Sequence, residues 1–352
     1  FGQSGNRPEE LECEAEALFA GGLVAASVAE GKKAFSQSYE LFIESSELYS
    51  KEGNQESSAR ILSRAAMASL FLLHYCGDRG EIEQLLRKGR DVADKAWQLS
   101  KKIGDLQSLA ESLWVETWLS FAVQYISTLR WDERWREYWR KLLLRCDESL
   151  KLAEGCDDPL VLGNLYVSAG NWYGYFGCQF VEDEREQREY VDKGLGLMEK
   201  ALVFARKAED RWLIGNCLFW LDWLALLGGR FDYVQKRVSD DVRDIMELGK
   251  IHADSYSFYR FWVHFFPAMY YTNFAGMRFF TPAERKSYAE KGIEHAKESL
   301  KTFSFSPFSA QVYQFLTWSH AQLVALATAK DERDEHAQKM LQYAQQAEKI
   351  AE

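Results

Sequence analysis

Proline is scarce in this chain: five in 352 residues, and three of them (Pro159, Pro282 and Pro307) directly follow Asp, Thr or Ser, as a helix opener would. Long alternating runs of β-branched residues are missing too, which excludes an extensive sheet and leaves an all-α class. Six cysteines, at 13, 76, 146, 156, 178 and 217, show no CxxC spacing. They read as small apolar residues of a reducing, cytoplasmic compartment rather than a disulfide frame or zinc site. No apolar stretch reaches the ~18 residues that read as a bilayer span, and no signal-peptide pattern is visible. A basic excess is absent as well: the net charge is −10 and the pI near 5.3. Neither nucleic acid nor an anionic membrane is therefore an expected partner.

Catalytic signatures are also lacking. The sequence holds no GxxxxGK[ST], GxSxG or HExxH, and no GxGxxG following a strand. The six histidines (74, 252, 264, 295, 320 and 336) make no pair with metal-ligand spacing, and no carboxylate pair stands out. No catalytic residue, metal or cofactor is expected, because function must be argued from a site and none appears.

What the chain does contain is a repeat. Asn54, Asp105, Asp158, Asp210 and Asp254 recur at intervals of 51, 53, 52 and 44 residues. Six positions before each stands a large apolar residue: Leu48, Leu99, Leu152, Phe204 and Leu248. Nine before stand Ser45, Ala96, Ser149, Ala201 and Ile245. Five after come Ala59, Ala110, Gly163 and Gly215, with Tyr259 the exception, and eight after come Leu62, Leu113, Tyr166, Leu218 and Trp262. Ser306-Pro307 is a further copy, shifted in register. Each anchor is a helix N-cap, the small residues let successive helices approach, and the large ones fill the seam. A hairpin of this kind cannot bury its apolar face alone, so the units must stack. The competing reading is an irregular bundle. The expectation is a right-handed α-solenoid of about seven antiparallel helix hairpins over residues 1–352. Since the chain opens on Phe1 and stops within a helical pattern at Glu352, it is also expected to be an excerpt of a longer protein.

Two stretches depart from the average unit. Trp131, Trp135 and Trp139 recur at four-residue spacing in RWDERWREYWR, a core stripe in preference to an aromatic docking surface. Tyr256 to Phe280 holds twelve aromatic residues in 25, with Pro267 in the middle, where a kink or break is expected. Thr281-Pro282-Ala283-Glu284 then reads as a capping box.

The segment Leu162-Gly163-x-x-Tyr166 resembles the first-helix motif of the tetratricopeptide-repeat superfamily, with Gly215 and Ala110 on the same small position. The units here are longer, near 50 residues against about 34 in that family, so the likeness is to a divergent, long-helix relative. It implies that the first helices line a concave groove into which the residue after the small position points. Carried over by position, this selects Arg60, Glu111, Asn164, Asn216 and Arg260. Four residues on stand Arg64, Val115, Ser168, Trp220 and His264, and a turn later Met67, Trp118, Asn171 and Trp223. Such a mixture suits a scaffold or adaptor that holds a protein or peptide segment. The bland counterpart is a solvated face with structural tryptophans. A second expectation is a ligand-sensing region of a larger signalling or transcription regulator. In that reading Trp220, Trp223, Tyr256 and His264 enclose a small molecule.

Overall fold

The computed structural model describes residues 6–126, 133–250, 258–304 and 306–351. Asp254, His252 and Tyr256, with the side chains of Trp131 and Trp135, lie outside the described residues. Among those residues all regular structure is helical, arranged as seven hairpins. They are α1 (Arg7–Leu23) with α2 (Val28–Lys51), α3 (Gln55–Leu72) with α4 (Arg79–Ile103), and α5 (Leu106–Ile126) with α6 (Glu133–Leu152). The fourth pairs α7 (Pro159–Gly170) with α9 (Glu184–Lys207). Between them α7 continues through a π-helical stretch, Asn171–Phe176, and the short α8 (Gly177–Phe180). Then follow α10 (Arg211–Leu227) with α11 (Phe231–Lys250), α12 (Phe258–Gly276) with α13 (Pro282–Thr302), and α14 (Pro307–Leu326) with α15 (Lys330–Ala351).

The four repeat anchors among the described residues are N-caps, as the periodicity requires. Asn54, Asp105, Asp158 and Asp210 each accept a backbone N–H of the helix they open, at 2.7–3.2 Å. Ser306 does the same for α14 at 3.1 Å, and Thr281 and Glu284 close the capping box of α13. At three of these caps the residue just before turns the chain. Gly53 and Gly104 adopt φ of +81°, and the fourth unit places Glu209 there at φ 54°, a conformation that costs a side-chain-bearing residue free energy. At the small positions, a Cβ on Gly163 would stand 2.7 Å from the Leu213 side chain of the next first helix. Any larger residue would require the Leu213 side chain to move.

Three features depart from expectation. Helix α12 runs unbroken through Pro267; its residues from Phe265 to Tyr270 are buried on every side, and that packing holds the helix despite one missing hydrogen bond. The π stretch of the fourth unit has no counterpart among the described residues of the other units. It passes so close to α9 that a Cβ on Gly194 would lie 2.4 Å from the Gly174 Cα. Most consequentially, the solenoid closes on itself. Helix α5 packs against α14 and α15, and the 3-10 turn Leu73–Tyr75 after α3 packs against α14. His74 stacks on Phe308 at 4.7 Å, Tyr75 meets Phe303 at 4.9 Å, and Trp118 meets Trp262 at 4.8 Å. At these contacts the concave side of the solenoid is closed over by the chain's own rings.

Candidate functional site

The inner site begins with a helix that has no polar side. From Ser108 to Ala122, α5 is buried at every residue except Glu111, the pattern of a helix covered all round. Its C-terminal half meets the neighbouring first helices in a layer of rings. Phe121 lies 5.1 Å from Tyr175 and 4.6 Å from Trp220, and Tyr175 lies 5.3 Å from Trp220. First helices run the same way in a hairpin stack, so residues one turn earlier on each form the next layer. Those residues are Trp118, Asn171 and Asn216. Trp262 of α12 bounds this layer from the far side, touching Trp118 and, at 6.4 Å, Trp212. Trp114 continues the α5 stripe one turn further, 6.1 Å from Trp118.

This layer carries hydrogen-bonding groups that no other group of the chain meets. Asn216, Asn171, Trp220 and Trp114 are 0%, 1%, 3% and 6% exposed. Yet no partner reaches both amide atoms of Asn216, Oδ1 of Asn171, or Nε1 of either tryptophan. An unmet buried polar group costs roughly 1–3 kcal/mol, and folded proteins seldom leave several together. By contrast Trp172, next to Asn171, donates to Thr117 Oγ1 at 2.8 Å.

Formal charge is kept out of the layer. Glu116 sits two residues before Trp118 and so faces the opposite side of α5. There it accepts from Tyr138 at 2.9 Å and Arg145 at 2.8 Å, and Arg145 also pairs with Asp94. Burial pushes the Glu116 carboxyl up to about 7, against the Tyr138 hydroxyl and the nearby cations Arg90 and Lys141. Asp222, two residues after Trp220, likewise faces α11. Burial, reinforced by the neighbouring Asp241, raises it to about 8. His74, walled by Phe308, Phe303, Phe261 and Trp262, is lowered to about 3 by burial and is neutral at physiological pH.

The residues selected from sequence divide between this interior and its rim. Trp118, Asn171, Asn216 and Trp220 are all buried, at 4% exposure or less, and so do not line an open groove. Ser168 is buried and donates to the Asn164 carbonyl at 2.9 Å. At the half-buried rim, Arg60 forks onto Glu12 at 2.5 and 3.0 Å, and Arg64 onto Glu16 at 2.7 Å. Glu111 accepts from Ser63 at 2.8 Å. Asn164, Trp223 and Arg260 are half-buried. His264 faces α13, its Nδ1 3.1 Å from Nδ1 of His295. Burial lowers both imidazoles, His295 to about 4. Trp114, Phe121, Tyr175 and Trp262 were not singled out; their signal was helical spacing from chosen residues, as in Trp114–Trp118 and Asn171–Tyr175. Trp139, the described member of its stripe, is buried and donates to the Trp172 carbonyl at 3.2 Å.

No group of three or more His, Cys, Asp or Glu among the described residues could hold a metal ion. No helix among them is long and apolar enough to cross a membrane. The fold defines the class, an all-α helical-repeat solenoid. No protein-family model and no curated protein matches the sequence. Over 97% of its length the chain is similar in structure to a signal transduction ATPase with numerous domains from Pyrococcus horikoshii that carries a tetratricopeptide-repeat sensor. There the identity is 12% and the TM-score 0.48, and the chain spans 47% of that protein. It is similar over 97% to a circular tandem repeat protein (12% identity, TM-score 0.33, 83% of that chain). Over 66% it is similar to a de novo designed helical repeat protein (17% identity, TM-score 0.26, 97% of that chain).

Proposed function

We propose that this chain is a non-catalytic binding module that senses a small molecule enclosed within its superhelix. The observation that carries the reading is the set of unmet amide and indole groups of Asn171, Asn216, Trp114 and Trp220 inside a ring-lined interior. Four first helices, from four different units, contribute to that interior. A molecule bound there would bridge them and bias the contact between α5 and α14, so occupancy becomes curvature. In a longer protein that change of shape is the signal.

Retention of small molecules from a cell extract by the immobilised chain tests this, alongside the Asn171→Leu/Asn216→Leu variant. A species held by the native chain and not by the variant is expected. Identical eluates would remove the interior as a binding site. A second reading, a scaffold for a protein or peptide segment, is favoured by the half-buried polar rim of Arg60, Arg64, Glu111, Asn164 and Arg260. It predicts that Asn164→Ala with Arg260→Ala weakens a purified protein partner while leaving small-molecule retention intact.

A further inference from the structure

Taking the interior as the ligand site, we infer that its ligand is an uncharged planar heterocycle of the lactam type, with an N–H donor and a C=O acceptor side by side. The carboxamide of Asn216 offers an acceptor and a donor on one planar fork, both unmet. That fork is the complement of a lactam edge, which it engages through two parallel hydrogen bonds. Asn171 Oδ1 adds a second acceptor, and the indole N–H groups of Trp114 and Trp220 add donors suited to a further carbonyl or ring nitrogen. The walls are flat. Phe121 and Trp220, stacked on each other at 4.6 Å with an interplanar angle of 21°, form the layer above the amides, and Trp118, within the amide layer, is backed by Trp262 at 4.8 Å. Such surfaces favour a ring over a flexible chain.

Charge excludes the main alternatives. A phosphate or carboxylate needs a cation to replace its hydration, and none of the residues forming the amide layer is cationic. The buried cation of α6, Arg145, is committed to Glu116 and Asp94 on the far side of α5. A cationic ligand meets the same difficulty, since Glu116 faces Tyr138 and Arg145 of α6, and Asp222 faces Asp241 of α11 and Tyr270 of α12.

The test is binding of three neutral lactams of increasing size, uracil, hypoxanthine and lumichrome, followed by calorimetry and tryptophan quenching on the full chain at pH 6.5. Orotate, which is uracil bearing a carboxylate, serves as the matched anion. The expected result is saturable binding of at least one lactam, weakened at least tenfold by Asn216→Leu. Asn171→Leu is the second variant should the first fail to fold, and orotate should bind at least tenfold more weakly than uracil. Orotate binding as tightly as uracil, in an Asn216-dependent way, would overturn the neutral class and leave the interior site standing. So would a species retained from extract by the native chain alone while no lactam binds. If no lactam binds and extract yields nothing, the amides are met by water only, and both the class and the interior reading fall.

Discussion

Asp222 gives the most demanding check on the packing of the fifth hairpin. Its carboxyl is fully buried on α10 and faces Asp241 of α11, which itself pairs with Arg237 at 3.3 Å. Burial first, and the second carboxyl next, raise Asp222 from 3.8 to about 8; Asp241 is raised too. A carboxyl whose pKa is higher in the folded than in the unfolded chain keeps its proton only when folded. Its stabilisation is complete below about pH 4 and is lost as pH climbs toward 8. At about 1.4 kcal/mol per unit the gap sets an upper bound of roughly 6 kcal/mol. Arg237 and the sharing of one proton with Asp241 reduce the expected loss to on the order of 2–3 kcal/mol. Asp222→Asn removes the titration but keeps a donor toward Asp241. Urea melts followed by circular dichroism at pH 5, 6.5, 8 and 9 should show the native chain losing stability relative to the variant by that amount. Parallel pH profiles for the two chains would refute the placement of Asp222 against Asp241.

Three further outcomes follow from other contacts. Trp262→Ala empties the seam between Trp118, Phe308 and His74 and should cost about 3–5 kcal/mol, with faster amide exchange in α14 and in the Leu73–Tyr75 turn. Unchanged exchange there would mean that closure contributes nothing to stability. Arg145→Met strands Glu116 and Asp94 and should cost roughly 3–5 kcal/mol, of which adding Glu116→Gln restores more than half; a loss under about 1 kcal/mol in the single variant contradicts the buried pair. Glu209→Gly relieves the left-handed backbone at the fourth cap and should raise stability by about 1 kcal/mol. No gain in urea midpoint would count against that conformation.

Much of the interior could be read residue by residue but not as an assembly. Asn171, Asn216, Trp118 and Trp220 were selected by position on a repeat, and all four are buried. Their shared burial was not legible, because it depends on how far each hairpin turns relative to the last. That rotation accumulates from contacts such as Gly163 on Leu213 and Gly174 on Gly194, each a matter of an ångström. The π stretch at Asn171–Phe176 was hidden for a similar reason: nothing in NWYGYF departs from an ordinary helical pattern, and it is the close passage over α9 that accompanies the widened turn. At Pro267 the helix is not broken, since the loss of one hydrogen bond is outweighed by packing on all sides.

By itself the sequence determined the local and periodic parts of this protein. Caps at Asn54, Asp105, Asp158 and Asp210, small residues five positions on, and helical apolar spacing specify hairpins and their stacking, because each acts over a few residues or between adjacent units. Only the tertiary structure decided that units far apart in the chain meet, bringing His74 onto Phe308 and Trp118 onto Trp262 across 234 and 144 residues of sequence. No short-range pattern encodes such contacts. They emerge from the summed twist of the intervening hairpins, and with them a groove became an interior.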